Sequence, residues 1–288
     1  LDSHGESLET FLGGAARFID MFAEQSPDGM EVVEGVSTYV CQHNWKLQVE
    51  NVPDGYHVPV VHRNFATTVS HRERRPEVTG LARTETGRIT GRVATGCYDF
   101  GNGHCAIWAE RASPEVAPIH LLREEVERRV PASLADWMIR RGRNLMVFPN
   151  LVLNDLASTH MRTHRPLGPD RTEVTIWCLA PVGEPRASRA ARLRKFEDFF
   201  LVSGMATSDD LVSMNIAHEG STGRAARWNP FYRGLDTLIE GPDEHARTLG
   251  IEPRSSNTSW DHETVYIGLY RHWLDALERE QHRAGGQP

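Results

Sequence analysis

The chain has 288 residues, enough to bury a full core without disulfide or metal staples. Hydrophobic residues make up 39% and charged residues 25%, the balance of an ordinary globular protein. The formal charge of −7 excludes a nucleic-acid grip driven by bulk charge, and no apolar run approaches the ~20 residues of a membrane-spanning helix.

Residues 7–24 carry apolar side chains at helical spacing, with Ser7 placed to cap and Glu9 in the first turn. Val36 to Gln42 reads as a strand. The segment 45–62 lacks strand alternation and suits a helix broken near Pro53 and Gly55. Short β-like runs follow at 76–84, 88–98 and 104–109, separated by turns at 85–87 and 101–103. Residues 115–141 are helical with a break at Pro131, and Arg123 to Arg129 has the i,i+4 charge pairing of a solvated helix face. Strands return over 143–180, the last two joined as a hairpin through Leu167-Gly168-Pro169-Asp170. An amphipathic helix spans 186–201, Gly204 ends it, and Thr207 or Ser208 can cap another from about Asp209 to Glu219. A long Gly/Pro-containing stretch precedes a closing helix at 264–280. The sum is α+β: an antiparallel sheet with helices segregated around it. Trp137, Trp177, Trp228 and Trp273 are expected in the core.

The four cysteines are scattered and contain no C-x-x-C pair, which argues against a disulfide scaffold and fits a reducing, cytoplasmic setting. Cys41 and His43 form a lone C-x-H with no C-x-x-H partner downstream. A Rieske cluster needs both halves, because two Cys and two His hold its two irons. Cys41 therefore reads as a buried strand residue.

The segment Asn44 to His62, NWKLQVENVPDGYHVPVVH, packs Glu50, Asn51, Asp54, His57 and His62 into an otherwise apolar frame. Neutral imidazole is a good ligand for iron, zinc, copper or nickel. On a regular helix the five-residue step from His57 to His62 splays the rings by ~140°. Pro59 lies between them and removes a backbone N–H, so an irregular helix can bring both rings to one ion. Asp54, three residues before His57, can accept the second ring N–H and fix the tautomer. Two histidines and one carboxylate on an octahedral face leave positions open for dioxygen. The best later carboxylate lies in Asp209-Asp210, where Asp209 can face outward as a helix-terminal charge and Asp210 inward. His160 and His164 share a strand face and could bind a metal, but Arg162 and Arg165 nearby suggest simply a polar sheet face.

These motifs resemble the catalytic domain of the large (α) subunit of Rieske-type aromatic ring-hydroxylating dioxygenases. The likeness rests on NWK…EN…DGYH-x4-H followed about 150 residues later by FEDFF…G…DD. GMEVVEG (29–35), GNGH (101–104), RNLMVFPNL (143–151), TEVTIWCLAP (172–181), LRKFEDFFLVSGMATSDDL (193–211) and IEGPDE (239–244) resemble the benzoate, toluate and anthranilate 1,2-dioxygenase branch. The resemblance covers almost the whole chain and implies a helix-grip fold, with residues 1–288 as one catalytic mononuclear-iron domain. It implies Fe(II) on His57, His62 and Asp210. Asp54 matches a bridging aspartate that links an iron-ligand histidine to a Rieske histidine of the neighbouring subunit. Asn51 matches an asparagine close to the iron. Val52, Val58, Phe200 and Ala206 match positions that line the substrate pocket in relatives.

The implied activity adds both atoms of O2 to a benzoate-like aromatic acid, giving a cis-dihydrodiol. Its electrons come from NADH through a reductase and a [2Fe-2S] Rieske cluster. A β subunit and a trimeric assembly are implied partners. Family members carry an N-terminal Rieske domain whose ligands this sequence lacks, so the reading expects a fragment or a cluster on another chain. A smaller departure is Asn215 to Gly220, where relatives show a Cys/Gln-rich segment; His218 there reads as a surface residue. Two other functions use the same features: a zinc hydrolase on the same three ligands, and a helix-grip module that binds aromatic ligands without catalysis.

Overall fold

The computed structural model of the protein describes residues 5–73, 93–225 and 228–285. The strand-like run 76–84, the turn 85–87 and the start of the run 88–98 lie outside the described residues.

Among the described residues one antiparallel sheet organises the chain. Its strands are β1 (Met30–Cys41), β2 (Thr95–Gly101), β3 (His104–Glu110), β4 (Arg141–Val147), β5 (Leu151–Asn154), β6 (His160–Gly168), β7 (Arg171–Pro181), β8 (Ile239–Glu240) and β9 (Ser255–Asn257). They lie in the order β1-β7-β6-β5-β4-β3-β2-β9-β8. Asn102 and Gly103, with φ of 50° and 76°, form the two-residue turn between β2 and β3. Asn-Gly tolerates that left-handed pair at little cost, and the turn matches the natural twist of the strands. The hairpin expected at 160–180 is β6 and β7, with Gly168 opposite Arg171.

The helices are α1 (Leu8–Leu12), α2 (Ala15–Ala23), α3 (Trp45–Asn51), α4 (Val58–Val61), α5 (Arg63–Glu73), α6 (Arg123–Arg129), α7 (Ala132–Arg140), α8 (Arg186–Phe199), α9 (Met205–Ser221), α10 (Glu244–Leu249) and α11 (Thr264–Gly285). The expected helix over 7–24 is two helices. Ser7 caps the first by accepting the Thr10 N–H, and Gly13, at φ 49°, turns the chain before the second. The break near Pro131 separates α6 from α7. On α6, Arg123 and Glu127 form the expected i,i+4 pair at 3.1 Å, while Val126 is buried beneath.

Strand β3 explains its own apolar sequence. Ala106 and Trp108 enter one cluster with Phe18 of α2 and Trp137 of α7. Cys105, Ile107 and Ala109 enter another with Val49 of α3 and Leu269 of α11. Both faces of the strand are covered, so its hydrophobic residues run without alternation. Each large side chain buried this way stabilises the fold by roughly 1.5–3 kcal/mol. A third cluster joins Ile176 of β7 to Phe196 and Phe199 of α8, Phe200, and Ala206 of α9. Cys41 is buried and unpaired at the end of β1.

Of the four tryptophans expected in the core, Trp137 is fully buried and Trp177 and Trp273 are half-buried. Trp228 is 88% exposed. It sits beside Pro230 in the irregular stretch before α11, with no helix or strand to fold it onto the sheet. Among the described residues no helix is long and apolar enough to cross a membrane.

Candidate metal centre

Helix α3 begins at Asn44, whose side chain accepts the Lys46 N–H at 3.1 Å. It buries Gln48 and Val49 and ends by presenting Asn51. The chain then turns through Pro53, Asp54 and Gly55. Asp54 uses both oxygens there: Oδ1 accepts the Tyr56 N–H at 2.9 Å, and Oδ2 lies 3.0 Å from Nδ1 of His57. Gly55 passes so close to Trp260 that a Cβ would sit 2.4 Å from the indole ring.

His57 and His62 cap the two ends of α4, a helix of only four residues. His62 leaves helical geometry at φ −93°, ψ 19°. The helix therefore ends at the second histidine, in a segment that Pro59 was expected to make irregular. The ring centroids stand 5.1 Å apart at 79°.

Asp210 arrives from α9. Gly204 is extended and caps this helix, so the helix starts at Met205, earlier than expected. Thr207 and Ser208 are inside it: Thr207 donates to the Phe200 carbonyl at 3.0 Å, and Ser208 to the Gly204 carbonyl at 3.1 Å. Asp210 is buried, whereas its neighbour Asp209 is half-buried.

Oδ1 of Asp210 lies 3.3 Å from Nε2 of His62 and 3.6 Å from Nε2 of His57. Asn51 Nδ2 is 3.4 Å from both that oxygen and His57 Nε2. The three donor atoms fall within 4.8 Å of one another. Ligands about 2.1 Å from a shared ion and at right angles to each other stand about 3 Å apart, so this spacing suits one cation. Among the described residues no other group of His, Cys, Asp or Glu donors converges in this way.

Electrostatics set the donors for metal. Burial holds the His62 imidazole well down, at about 3, with the His57 charge adding to it, so its ring is neutral at ordinary pH. Burial also lowers His57, but the hydrogen bond to Asp54 and the charges of Asp210 and Asp54 outweigh it and leave the ring above its usual value. Asp210 is pushed up to about 6 by burial, against the pull of His57 and Arg162. A cation at this point would relieve both burdens, replacing the proton on Asp210 and the one on His57 Nε2.

Inward of the donors lies a cavity with about 80 Å³ of water-accessible space. Val52, Val58, Phe65, Ile107, Phe199 and Phe200 form much of its wall. Ala206 is packed in the cluster behind Phe199 and Phe200 rather than on that wall. Outward, Asn51, Asp54, His57 and Asp210 also border an open groove of about 570 Å³. The donors thus stand between an apolar chamber and a more open groove of mixed lining.

Other candidates go elsewhere. His43 bonds Asn215 at 2.7 Å and Gln48 at 2.9 Å, away from the donors. His218 is half-buried rather than on the open surface. His160 and His164 do share a polar face of β6 with Arg162, but that face is the buried one. Arg165 points the other way and pairs with Glu173 at 2.8 Å. Four polar cavity residues were not singled out from sequence as part of a site: Asn144, Asn154, Arg162 and Lys195. The sequence named Arg162 only as a neighbour of the two histidines, together with Arg165, and no local pattern says which face of a sheet looks inward.

The sequence pattern of the ring hydroxylating alpha subunit (catalytic domain) matches residues 28–247. The chain belongs to this family. Within it, the chain is 43% identical over 281 residues to the toluate 1,2-dioxygenase subunit alpha of Pseudomonas putida, covering 96% of this chain and 61% of that protein. It is 39% identical over 272 residues to the 2-halobenzoate 1,2-dioxygenase large subunit of Burkholderia cepacia (94% and 58% covered). It is 36% identical over 286 residues to the anthranilate 1,2-dioxygenase large subunit of Acinetobacter baylyi (96% and 61% covered). The chain therefore spans about 60% of the length of these curated relatives. Its fold matches naphthalene 1,2-dioxygenase from Rhodococcus sp. with a TM-score of 0.75 at 22% identity, over 96% of this chain and 62% of that one. The fold is the helix-grip arrangement of sheet and helices.

Proposed function

We propose that this chain is the catalytic domain of an aromatic ring-hydroxylating dioxygenase that acts on a benzoate-like acid. His57, His62 and Asp210 would hold a single Fe(II). The observation that carries this reading is the convergence of those three donors at the mouth of an apolar cavity. Iron bound there supplies open coordination positions for dioxygen, the known use of two histidines and one carboxylate.

The chain's own residues prepare that chemistry. Asp54 keeps the proton on Nδ1 of His57, which leaves Nε2 free to donate its electron pair. Asn51 Nδ2 stands beside both donors and donates to Asp210 Oδ1; His57 Nε2 would give its electron pair to a bound metal instead, leaving Asn51 to steady Asp210. Val52, Val58 and Phe200 give the ring an apolar bed and keep water from the reacting carbons. The products would be cis-dihydrodiols, with both oxygen atoms from O2. Electrons would come from NADH through a reductase and a [2Fe-2S] Rieske cluster in the complete subunit, and a β subunit and trimeric assembly complete the machine. The relatives named for toluate, 2-halobenzoate and anthranilate support a benzoate-type substrate. The family match favours iron over a zinc hydrolase on the same ligands, and an intact donor set speaks against a non-catalytic binding module.

The test uses the full-length α subunit with its β subunit and reductase. Anaerobic protein loaded with Fe(II) should give the EPR signal of a ferrous nitrosyl, and benzoate with 18O2 should yield a diol carrying two labelled atoms. Zinc in place of iron, or an unlabelled product, defeats the reading.

A further inference from the structure

Arg162 is near the start of β6, between His160 and His164 on the same face. The two histidines are 0% exposed and Arg162 only 5%. Burial, reinforced by the Arg162 charge, holds both histidines neutral, so the guanidinium carries the sole formal charge in that row. A cation taken out of water is costly unless an anion meets it. Among the described residues no carboxylate stands within ion-pair distance of Arg162, and its Nε has no hydrogen-bond partner. Its hydrogen-bonding neighbour Tyr39 is a neutral phenol, pushed up to about 12 by burial. Asp210 feels the Arg162 charge, but in the function proposed above that carboxylate holds the iron.

The guanidinium nevertheless faces a space. Arg162 lines the same apolar cavity as His57, His62 and Asp210. Lys195, the other cation on that wall, has a partner already. We propose that Arg162 is the specificity-determining residue of the cavity: its planar fork receives the carboxylate of the aromatic acid and so selects anionic over neutral aromatics. This rests on the function proposed above and adds the residue that reads the substrate's charge.

Two parallel N–H···O bonds fit a carboxylate and fix its plane. With the carboxylate held on β6, the ring has one way to lie along the apolar wall, and the ring edge presented to the metal donors is set. Arg162 thereby governs position as well as affinity.

The experiment titrates benzoate and benzamide, a neutral analogue of similar shape, into the anaerobic Fe(II)-loaded α subunit in its native assembly. Binding is read by calorimetry and iron content is measured in every sample. R162Q is expected to weaken benzoate by more than about tenfold while benzamide changes less than about threefold, with R162K recovering part of the loss. Iron content should stay at the wild-type level. Benzoate weakened less than tenfold, or both ligands weakened alike, overturns the assignment. A wild-type protein that holds iron and binds no benzoate overturns the functional reading itself, which is a different result. A crystal structure of wild-type protein with benzoate decides the matter even if the variants fail to fold. A carboxylate oxygen within hydrogen-bonding distance of the Arg162 guanidinium supports the proposal; a carboxylate on Lys195 or at the cavity mouth ends it.

Discussion

His57 and His62 terminate the same four-residue helix at opposite ends, yet their rings meet at 79° with centroids 5.1 Å apart. The rings converge although the backbone between them is helical. That relationship makes a two-histidine site from a spacing that a regular helix would waste, and the first prediction concerns it directly. H57A, H62A and D210A should each leave the protein folded and lower its Fe(II) content to near zero, measured by metal analysis after anaerobic reconstitution. An unchanged iron content in any of the three removes that residue from the site.

Asp54 touches the proposed donor set only through His57. D54N retains a similar shape but loses the charge that holds the imidazole tautomer. Fe(II) affinity should fall about 10–100-fold, less than on removal of a direct donor. Competition against a chelator of known affinity measures it.

The pH dependence of metal binding follows from the carboxyl of Asp210, raised by burial to about 6 in the metal-free protein. Only its deprotonated form accepts a cation. As the pH drops through about 6 the proton competes, so affinity should fall about tenfold per pH unit below that point, and more steeply where His57 also holds a proton. His62, lowered to about 3, adds no competition above that pH. Proton release on metal addition near pH 6, followed in weak buffer, checks the sign. Affinity that is flat from pH 5 to 8 contradicts it.

Gly55 and Trp260 are in such close contact that an added methyl meets the indole at 2.4 Å. G55A should cost about 1–3 kcal/mol through overpacking. Trp260 is also on the cavity wall, so ligand affinity should fall with stability. Denaturant unfolding and benzoate titration measure the two effects.

The tryptophans separate pattern from environment. W137A, in the core, should lose about 3–5 kcal/mol. W228A, at an 88% exposed position, should stay within about 0.5 kcal/mol of wild type. Equal losses at the two sites would place Trp228 under a cover that the fold does not show.

Much of the local structure was legible because it depends on neighbours in sequence. The break in residues 45–62 follows from Pro53 and Gly55, and the β6–β7 hairpin from its turn residues. The start of α9 differs because Ser and Thr are good caps in general, whereas here the extended cap is Gly204, at a position where a Cβ would lie 2.7 Å from the Phe199 carbonyl oxygen. Alternation put His160 and His164 on one face without saying that the face is buried.

By itself the sequence determined which residues could donate to a metal, and which stretches become helix or strand, since both depend on side-chain chemistry and on periods of a few residues. Tertiary structure alone decided that Asp210, about 150 residues from the histidines, turns its oxygen to within 3.3 Å of His62. It also decided that Arg162 looks inward at the same cavity while Trp228 looks out. The reason is physical: inside and outside are set by what packs across a face, and those partners come from distant parts of the chain.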